Sequence, residues 1–196
     1  MITPAMVKKL REKTGAGMMD CKNALGEANG DIEKATEILR KKGLMDVAKR
    51  AGRITKQGII EAYIHSNRKM GVLIEMDCET DFVARTDEFR ALAHNLAMQV
   101  AATNPLYISR ENIEEEVLQK EREIYKEQLK NSNKPEKVIE KIIEGKMEKF
   151  YQDMVLLEGQ YIKDENKKVK DIVASVASKL GENIVVKRFV RFAIGE

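Results

Sequence analysis

The chain has 196 residues, 43% of them hydrophobic and 34% charged, with only 5% aromatic and no tryptophan. That is enough apolar material for the core of one ordinary domain or two small ones, too much for a disordered chain, and better suited to helices than to a β-sandwich. The charge of +3 demands no nucleic-acid partner, and the longest apolar stretch, Ala91 to Thr103, is interrupted by His94, Asn95 and Gln99, so no membrane span is expected.

The opening Met1-Ile2-Thr3-Pro4 lacks the charged and apolar regions of a secretion signal. Cys21 and Cys78 are too few for a disulfide framework or a four-thiolate zinc site, so a reducing, cytoplasmic location is expected. Charge is uneven: residues 1–56 carry 13 basic and 7 acidic side chains, residues 57–196 carry 22 and 25. With the basic stretch Lys49-Arg50-Ala51-Gly52-Arg53, this predicts a module over 1–50, a linker over 51–57 and a second domain over 58–196.

The first fifty residues read as three short helices. Thr3 is placed to cap the first, with Pro4 at its first position and Val7 and Leu10 facing inward. Thr14-Gly15-Ala16-Gly17 breaks it. A second helix over about Met18 to Ala28 sets Met18, Cys21, Ala24, Leu25 and Ala28 at helical spacing. Asn29-Gly30-Asp31 is a turn ending in a cap, and a third helix turns Ile32, Ala35, Ile38 and Leu39 inward and is expected to stop at Gly43. So small a core is typical of a binding unit.

The period then changes to two. Gly58 to Ile64 and Gly71 to Met76, separated by Ser66-Asn67-Arg68-Lys69, predict an antiparallel hairpin. Thr80-Asp81-Phe82-Val83 falls at a strand-to-helix junction and is expected to be a surface loop. Asp87 to Thr103 is a helix ended by Asn104-Pro105. A charged helix from Ser109 to about Lys130, a turn at Ser132-Asn133-Lys134-Pro135 and a partner helix to about Leu157 predict a helical hairpin over 109–157. A last helix from Val169 ends at Gly181, and Ile184 to Ile194 alternates as a closing strand. The fold class expected is α+β: a three-helix module, then a small antiparallel three-stranded sheet packed with helices and the long hairpin.

The chemical inventory is thin. Gly15 to Lys22 only superficially resembles a phosphate-binding loop, since its second Gly is not followed by Lys and a helix, not a strand, precedes it. His65 and His94 lack Cys or carboxylate neighbours at ligand spacing; His94 reads as a partly buried helix residue and Cys21 as core packing. Cys78 has no identifiable base. No cofactor, no metal and no catalytic residue is expected, and the chain is expected not to be an enzyme.

Two features stand apart. Met18 and Met19 are about 100° apart on a helix, so both cannot point fully inward. Beside Arg11 and Lys22 an exposed methionine suits a partner surface; packing of both in a loose core is the other reading. Phe82, next to Asp81, is either a cap packing back on the core or a wedge aimed at a partner.

At these residues the chain resembles the elongation factor Ts family. Lys9-Leu10-Arg11-Glu12-Lys13-Thr14-Gly15-Ala16-Gly17-Met18-Met19-Asp20-Cys21-Lys22, continued by Glu27-Ala28-Asn29-Gly30-Asp31, resembles the family's opening signature. Cys78-Glu79-Thr80-Asp81-Phe82-Val83-Ala84 resembles its second, and the likeness runs to Lys187-Arg188-Phe189-Val190-Arg191-Phe192. The resemblance implies a ubiquitin-associated-like first module and a short form of the family, with one hairpin-plus-strand set where long members have two related sheet-bearing subdomains.

The resemblance further implies a guanine nucleotide exchange factor for elongation factor Tu. Thr80, Asp81, Phe82 and Val83 would intrude near the partner's magnesium site, with Phe82 as the wedge. Arg11, Met18, Met19 and Lys22 would grip the partner's GTPase domain. His65 resembles the Tyr-x-His hairpin of the long members' second sheet and would touch the partner from the opposite subunit of a homodimer, a solvated hairpin histidine being the other reading. Ile184 to Ile194 is apolar on both faces, which a lone sheet with one wet side does not explain and a second copy of the chain would. The competing class is a non-enzymatic RNA-binding protein using the basic first segment; against it, no Phe or Tyr precedes Tyr63.

Overall fold

A computed structural model describes residues 2–130, 132 and 135–196. Its elements run α1 (Pro4–Thr14), α2 (Met18–Glu27), α3 (Ile32–Arg50), β1 (Gln57–Ile64), β2 (Met70–Cys78), α4 (Asp81–Ala84), α5 (Asp87–Thr103), a 3-10 turn (Arg110–Asn112), α6 (Glu115–Leu129), α7 (Glu136–Met154), β3 (Gln160–Tyr161), β4 (Asp164–Lys168), α8 (Val169–Leu180) and β5 (Ile184–Ala193). The class is α+β as expected, with a three-stranded antiparallel sheet ordered β1-β2-β5. Among the described residues no helix is long and apolar enough to cross a membrane. The chain forms two compact units. One holds residues 1–58, 77–89 and 173–185, the other 59–76, 90–172 and 186–196.

In the first unit Thr3 caps α1, its hydroxyl accepting the Met6 N–H at 3.3 Å. Gly15 ends the helix at φ +69°, its N–H returning to the Arg11 carbonyl at 2.8 Å. Asp31 caps α3 by accepting the Glu33 and Lys34 N–H groups, as expected. The core of α1, α2 and α3 is Leu10, Cys21, Ala24, Leu25, Ala28, Ala35 and Leu39. Four of these seven are Cys or Ala, small enough to let helices approach closely, and Leu10, Leu25 and Leu39 are the larger fillers.

The third helix does not stop at Gly43. It continues seven residues further, to Arg50. A helical glycine costs about 1 kcal/mol relative to alanine, and here its lack of a side chain serves packing. A Cβ at Gly43 would lie 2.6 Å from Ser178 Oγ on α8. The glycine marks a close approach of two helices rather than an end.

In the second unit β2 turns Val72, Ile74 and Met76 inward on alternate positions. The α5 face is buried through Leu92, Leu96 and Val100. Glu61 on β1 meets His94 Nδ1 on α5 at 2.9 Å, which ties helix to sheet. His94 itself is exposed, not partly buried as the sequence suggested. Gln99 is 1% exposed and bonded at both amide atoms: its amide N–H donates to the Gln160 carbonyl and its oxygen accepts the Ile162 N–H. That pair fixes the β3-β4 hairpin, which the sequence reading did not anticipate because β3 is only two residues long.

Ser109 starts a 3-10 turn, not the long helix. Its N–H and hydroxyl both donate to Asn112 Oδ1, and Ile113 then turns extended and buries its side chain before α6 begins. The partner helix α7 ends at Met154, short of Leu157, because residues 155–157 leave it to bond the segment at 107–108: Leu156 and Leu157 N–H donate to the Tyr107 and Ile108 carbonyls. The helices α6 and α7 pack on one another as the expected hairpin. Asn133 and Lys134 of the expected turn lie outside the described residues.

Glu158 anchors this region. Its carboxylate receives Lys168 Nζ at 2.9 Å, Lys170 Nζ at 3.0 Å and Arg110 Nη2 at 3.2 Å. Burial pushes the Glu158 carboxyl up, but the bonds from Lys168, Arg110 and Lys170 outweigh it and hold the group at about 2, against 4.5 for an unperturbed glutamate. A carboxyl depressed on folding stabilises the protein above its unfolded pKa and loses that contribution as pH falls through the folded one. About 3 kcal/mol is therefore expected to disappear between roughly pH 5 and pH 2. Urea unfolding at stepped pH checks this: Glu158→Gln should be less stable than the natural protein by about that amount at pH 7, and the gap should close by about pH 2. A gap independent of pH would show that charge is not the cause.

Candidate functional site

The segment after β2 folds into a helical turn, α4, instead of the expected surface loop. Thr80 is its cap, extended at φ −126° and ψ 155°, with its hydroxyl accepting the Val83 N–H at 3.4 Å. The Thr80 carbonyl accepts the Ala84 N–H at 3.3 Å. Thr86 then caps α5, its hydroxyl accepting the Phe89 N–H at 3.2 Å. The sequence signal for this was present: threonine followed by an acid in the first turn is a start pattern.

Within this turn the four side chains differ. Val83 and Ala84 are buried. Asp81 pairs with Arg85 at 2.9 Å. Phe82 is 78% exposed, so it does not pack back on the core. A phenylalanine so placed keeps most of its apolar surface in water.

Beneath the turn lies a polar lattice from distant sequence. Glu182 Oε2 accepts the Glu79 and Thr80 N–H groups at 3.0 Å each, and Glu182 Oε1 accepts the Thr80 hydroxyl at 2.5 Å. Glu79 Oε1 accepts the Asn183 N–H at 2.7 Å, and Glu79 pairs with Arg53 at 3.4 Å. The Asn183 amide donates to the Ala51 and Arg53 carbonyls. The Cys78 thiol donates to the Thr80 carbonyl at 3.1 Å. Sequence reading missed Glu182 and Asn183, which stand about a hundred residues away in a Gly-Glu-Asn turn with no signal beyond turn chemistry.

The second group of expected residues sits on α1 and α2 of the same unit. Met18 and Met19 are 61% and 65% exposed, so neither packs in the core. Lys22 lies one turn on from both, and Arg11 is exposed in the last turn of α1. Between the methionines and the buried Cys21, Asp20 bonds Lys42 at 2.6 Å and joins α2 to α3. The surface is thus two flexible apolar side chains flanked by cations.

His65 belongs to the other unit. It is exposed at the hairpin tip, its N–H donating to the Met70 carbonyl and its Nδ1 paired with the Tyr63 hydroxyl at 2.9 Å. The Tyr63 ring lies edge-on to His94, with centroids 5.8 Å apart. In this unit the sheet also leaves Ile60, Ile64, Leu73, Val190 and Phe192 in water. Ile64, Leu73, Phe192 and Ile194 help line a concavity of about 570 Å³, with Arg68 and Lys69 at its edge. Among the described residues no group of three or more His, Cys, Asp or Glu is placed to hold a metal ion.

A family model described as Elongation factor TS matches residues 18–196. A protein of Fervidobacterium nodosum named Elongation factor Ts is 60% identical over 195 residues, covering all of this chain and 99% of its own length. Proteins of the same name from Moorella thermoacetica and Thermotoga maritima are 61% and 60% identical, each aligned over 97% of its own length. These relatives have about the length of this chain and match the expected short form.

Cys78 gives the site a testable chemical property. Burial, and then the nearby Glu182 charge, push its thiol up to about 11. At pH 8 only about one molecule in a thousand would carry the thiolate. Modification of Cys78 by an aromatic disulfide reagent, followed by mass spectrometry, should be slow in the folded protein and should speed up sharply in urea. Rapid labelling of native Cys78 at pH 8 would contradict this environment.

Proposed function

The chain belongs to the elongation factor Ts family, the nucleotide exchange factors of elongation factor Tu, and on that footing we propose that it binds elongation factor Tu carrying GDP, disturbs the partner's magnesium site with Thr80, Asp81, Phe82 and Val83, and promotes release of GDP and its exchange for GTP. The supporting observation is Phe82, held in water on a helical turn whose backbone is bonded from beneath. Arg11, Met18, Met19 and Lys22 grip the GTPase domain of the partner.

Membership of this family corrects the expectation that the chain is no enzyme. Its members act on elongation factor Tu by exchange, which makes no covalent bond but is catalytic, since a factor that speeds exchange is itself regenerated. The chain is not a classical enzyme, and it works as a catalyst of exchange.

Magnitudes indicate how the contacts share the work. A 10⁴-fold acceleration requires about 5.5 kcal/mol of differential stabilisation. Burying one phenylalanine supplies about 1.5–3 kcal/mol. Phe82 therefore needs a wider interface behind it, and the methionine surface on α2 offers apolar area in the same unit. Coupling is reciprocal: a factor that weakens nucleotide binding is itself weakened by nucleotide to the same degree. Release of the factor when GTP returns follows from that.

The proposal keeps a three-helix partner-binding module over 1–50, a linker over 51–57 and a core over 58–196, a cytoplasmic location, and no direct nucleic-acid contact. It also includes a homodimer through the exposed sheet face, in which His65 reaches the partner from the subunit opposite the one supplying Phe82.

Stopped-flow release of a fluorescent guanine nucleotide from elongation factor Tu tests the function. Phe82→Ala should slow release by about 10- to 100-fold, while Met19→Asp, which puts a charge into an apolar contact, should mainly weaken binding, by about tenfold or more. Release unaffected by the natural protein would end the proposal. Sedimentation equilibrium at micromolar concentration tests the dimer: twice 22.3 kDa is expected, falling to one chain for Phe192→Asp. A natural protein that sediments as one chain and still speeds release would remove the dimer from the proposal.

A further inference from the structure

We infer that Glu182 is a positioning residue for exchange: its carboxylate fixes the Thr80 cap, and so sets in advance the direction in which Phe82 is presented. This rests on the reading of Phe82 as the wedge.

An exposed side chain takes its direction from the backbone beneath it. The backbone at Phe82 belongs to a helical turn of four residues, too short to hold itself by its own bonds, because starting a helix is unfavourable and only later turns repay it. Something outside the turn must hold its first residue. Glu182 does so through three bonds: two consecutive N–H groups on Oε2 and the Thr80 hydroxyl on Oε1. Bonds to a carboxylate are about twice as strong as neutral ones.

The Thr80 hydroxyl has one proton. Donated to Glu182, that proton leaves the oxygen lone pairs facing the Val83 N–H, the orientation a cap requires. Glu182 therefore decides which way the cap points. The Thr80 carbonyl is engaged as well, by the Cys78 thiol and the Ala84 N–H. Each backbone and side-chain polar group of Thr80 has a partner inside the chain. This assigns Thr80 the task of anchoring, and leaves Phe82 as the member of the tetrapeptide that faces outward.

A wedge presented correctly only part of the time acts at a rate reduced by that fraction. Loosening the anchor should lower the saturated exchange rate and leave the contacts that govern binding, on α1 and α2, intact. A role in general stability alone would not separate these two quantities.

The experiment uses the full chain, with release of fluorescent GDP from elongation factor Tu measured across factor concentration, and amide hydrogen exchange of residues 79–85 in the free protein. Glu182→Ala should lower the plateau rate by about 5- to 20-fold, shift the half-saturating concentration less than about twofold, and raise amide exchange at 80–84. Glu182→Gln keeps one oxygen for the two N–H groups but turns an NH₂ toward the hydroxyl, so it should fall between. Thr80→Ser should restore what Thr80→Val loses. Adding Glu182→Ala to Phe82→Ala should slow release no further, because the first acts through the second. Unchanged protection at 80–84 in Glu182→Ala, or a double variant slower by the product of the single effects, overturns the inference. A slow Phe82→Ala with a fast Glu182→Ala overturns it alone, whereas a Phe82→Ala at natural speed removes the wedge reading and this inference together.

Discussion

A large apolar side chain held in water cannot be positioned by the hydrophobic effect, because packing it away is what would stabilise it. Phe82 meets that constraint in this fold, and the arrangement around it follows. Fixing its backbone falls to polar bonds, and these come from parts of the chain that meet only in the folded unit. Glu182 and Asn183 follow α8, Glu79 and Thr80 follow β2, and Arg53 follows α3. Each member holds the next: Asn183 bonds the carbonyls at 51 and 53, Arg53 pairs with Glu79, and Glu79 receives Asn183. The turn that carries Phe82 is thus only as rigid as a circuit that three separate segments close.

The same unit carries the methionine surface, and its small core explains the company it keeps. The residues buried by α1, α2 and α3 are mostly Ala and Cys around three leucines. Such a core yields little hydrophobic stabilisation alone. Close helix approach recovers part of the loss, and Gly43 against Ser178 extends that approach to α8. A module that borrows packing in this way can leave Met18 and Met19 outside. Their exposure is affordable because Cys21, Ala24 and Leu25 on the other side of α2 do the packing.

How much of this was legible in the sequence depended on range. Caps and periodicity act within a few residues, and Thr3, Gly15, Asp31 and Gly181 end or start helices where local chemistry said they would. Gly43 was misread because the rule that glycine stops a helix is local, whereas its neighbour here is 135 positions away in the chain. The hairpin β3-β4 was missed because Gln99, which fixes it, is a lone polar residue inside an apolar helix and its partners at 160 and 162 carry no strand pattern. For the site, the outward residues were legible and their supports were not. Phe82, Met18 and Met19 stood out as apolar residues where a surface was expected, while Glu182 looked like any other acid in a turn.

The sheet presents the opposite problem, apolar surface with no polar bond to hold it in place. On β5 the even positions are buried at Ile184 and Val186 but exposed from Arg188, which bonds Glu75, and beyond it Val190 and Phe192 are exposed together with Ile60, Ile64 and Leu73. Two copies would cover ten such side chains, each 40–68% exposed, and at about 1.5–3 kcal/mol for complete burial of one side chain the face would supply on the order of 10 kcal/mol. Association of two chains costs an estimated 4–15 kcal/mol before any such gain is counted. The two are of the same size, so a pairing through this face would be set by concentration and by fit, and the Arg188–Glu75 pair in the middle of the face would have to keep its hydrogen bonds when water leaves.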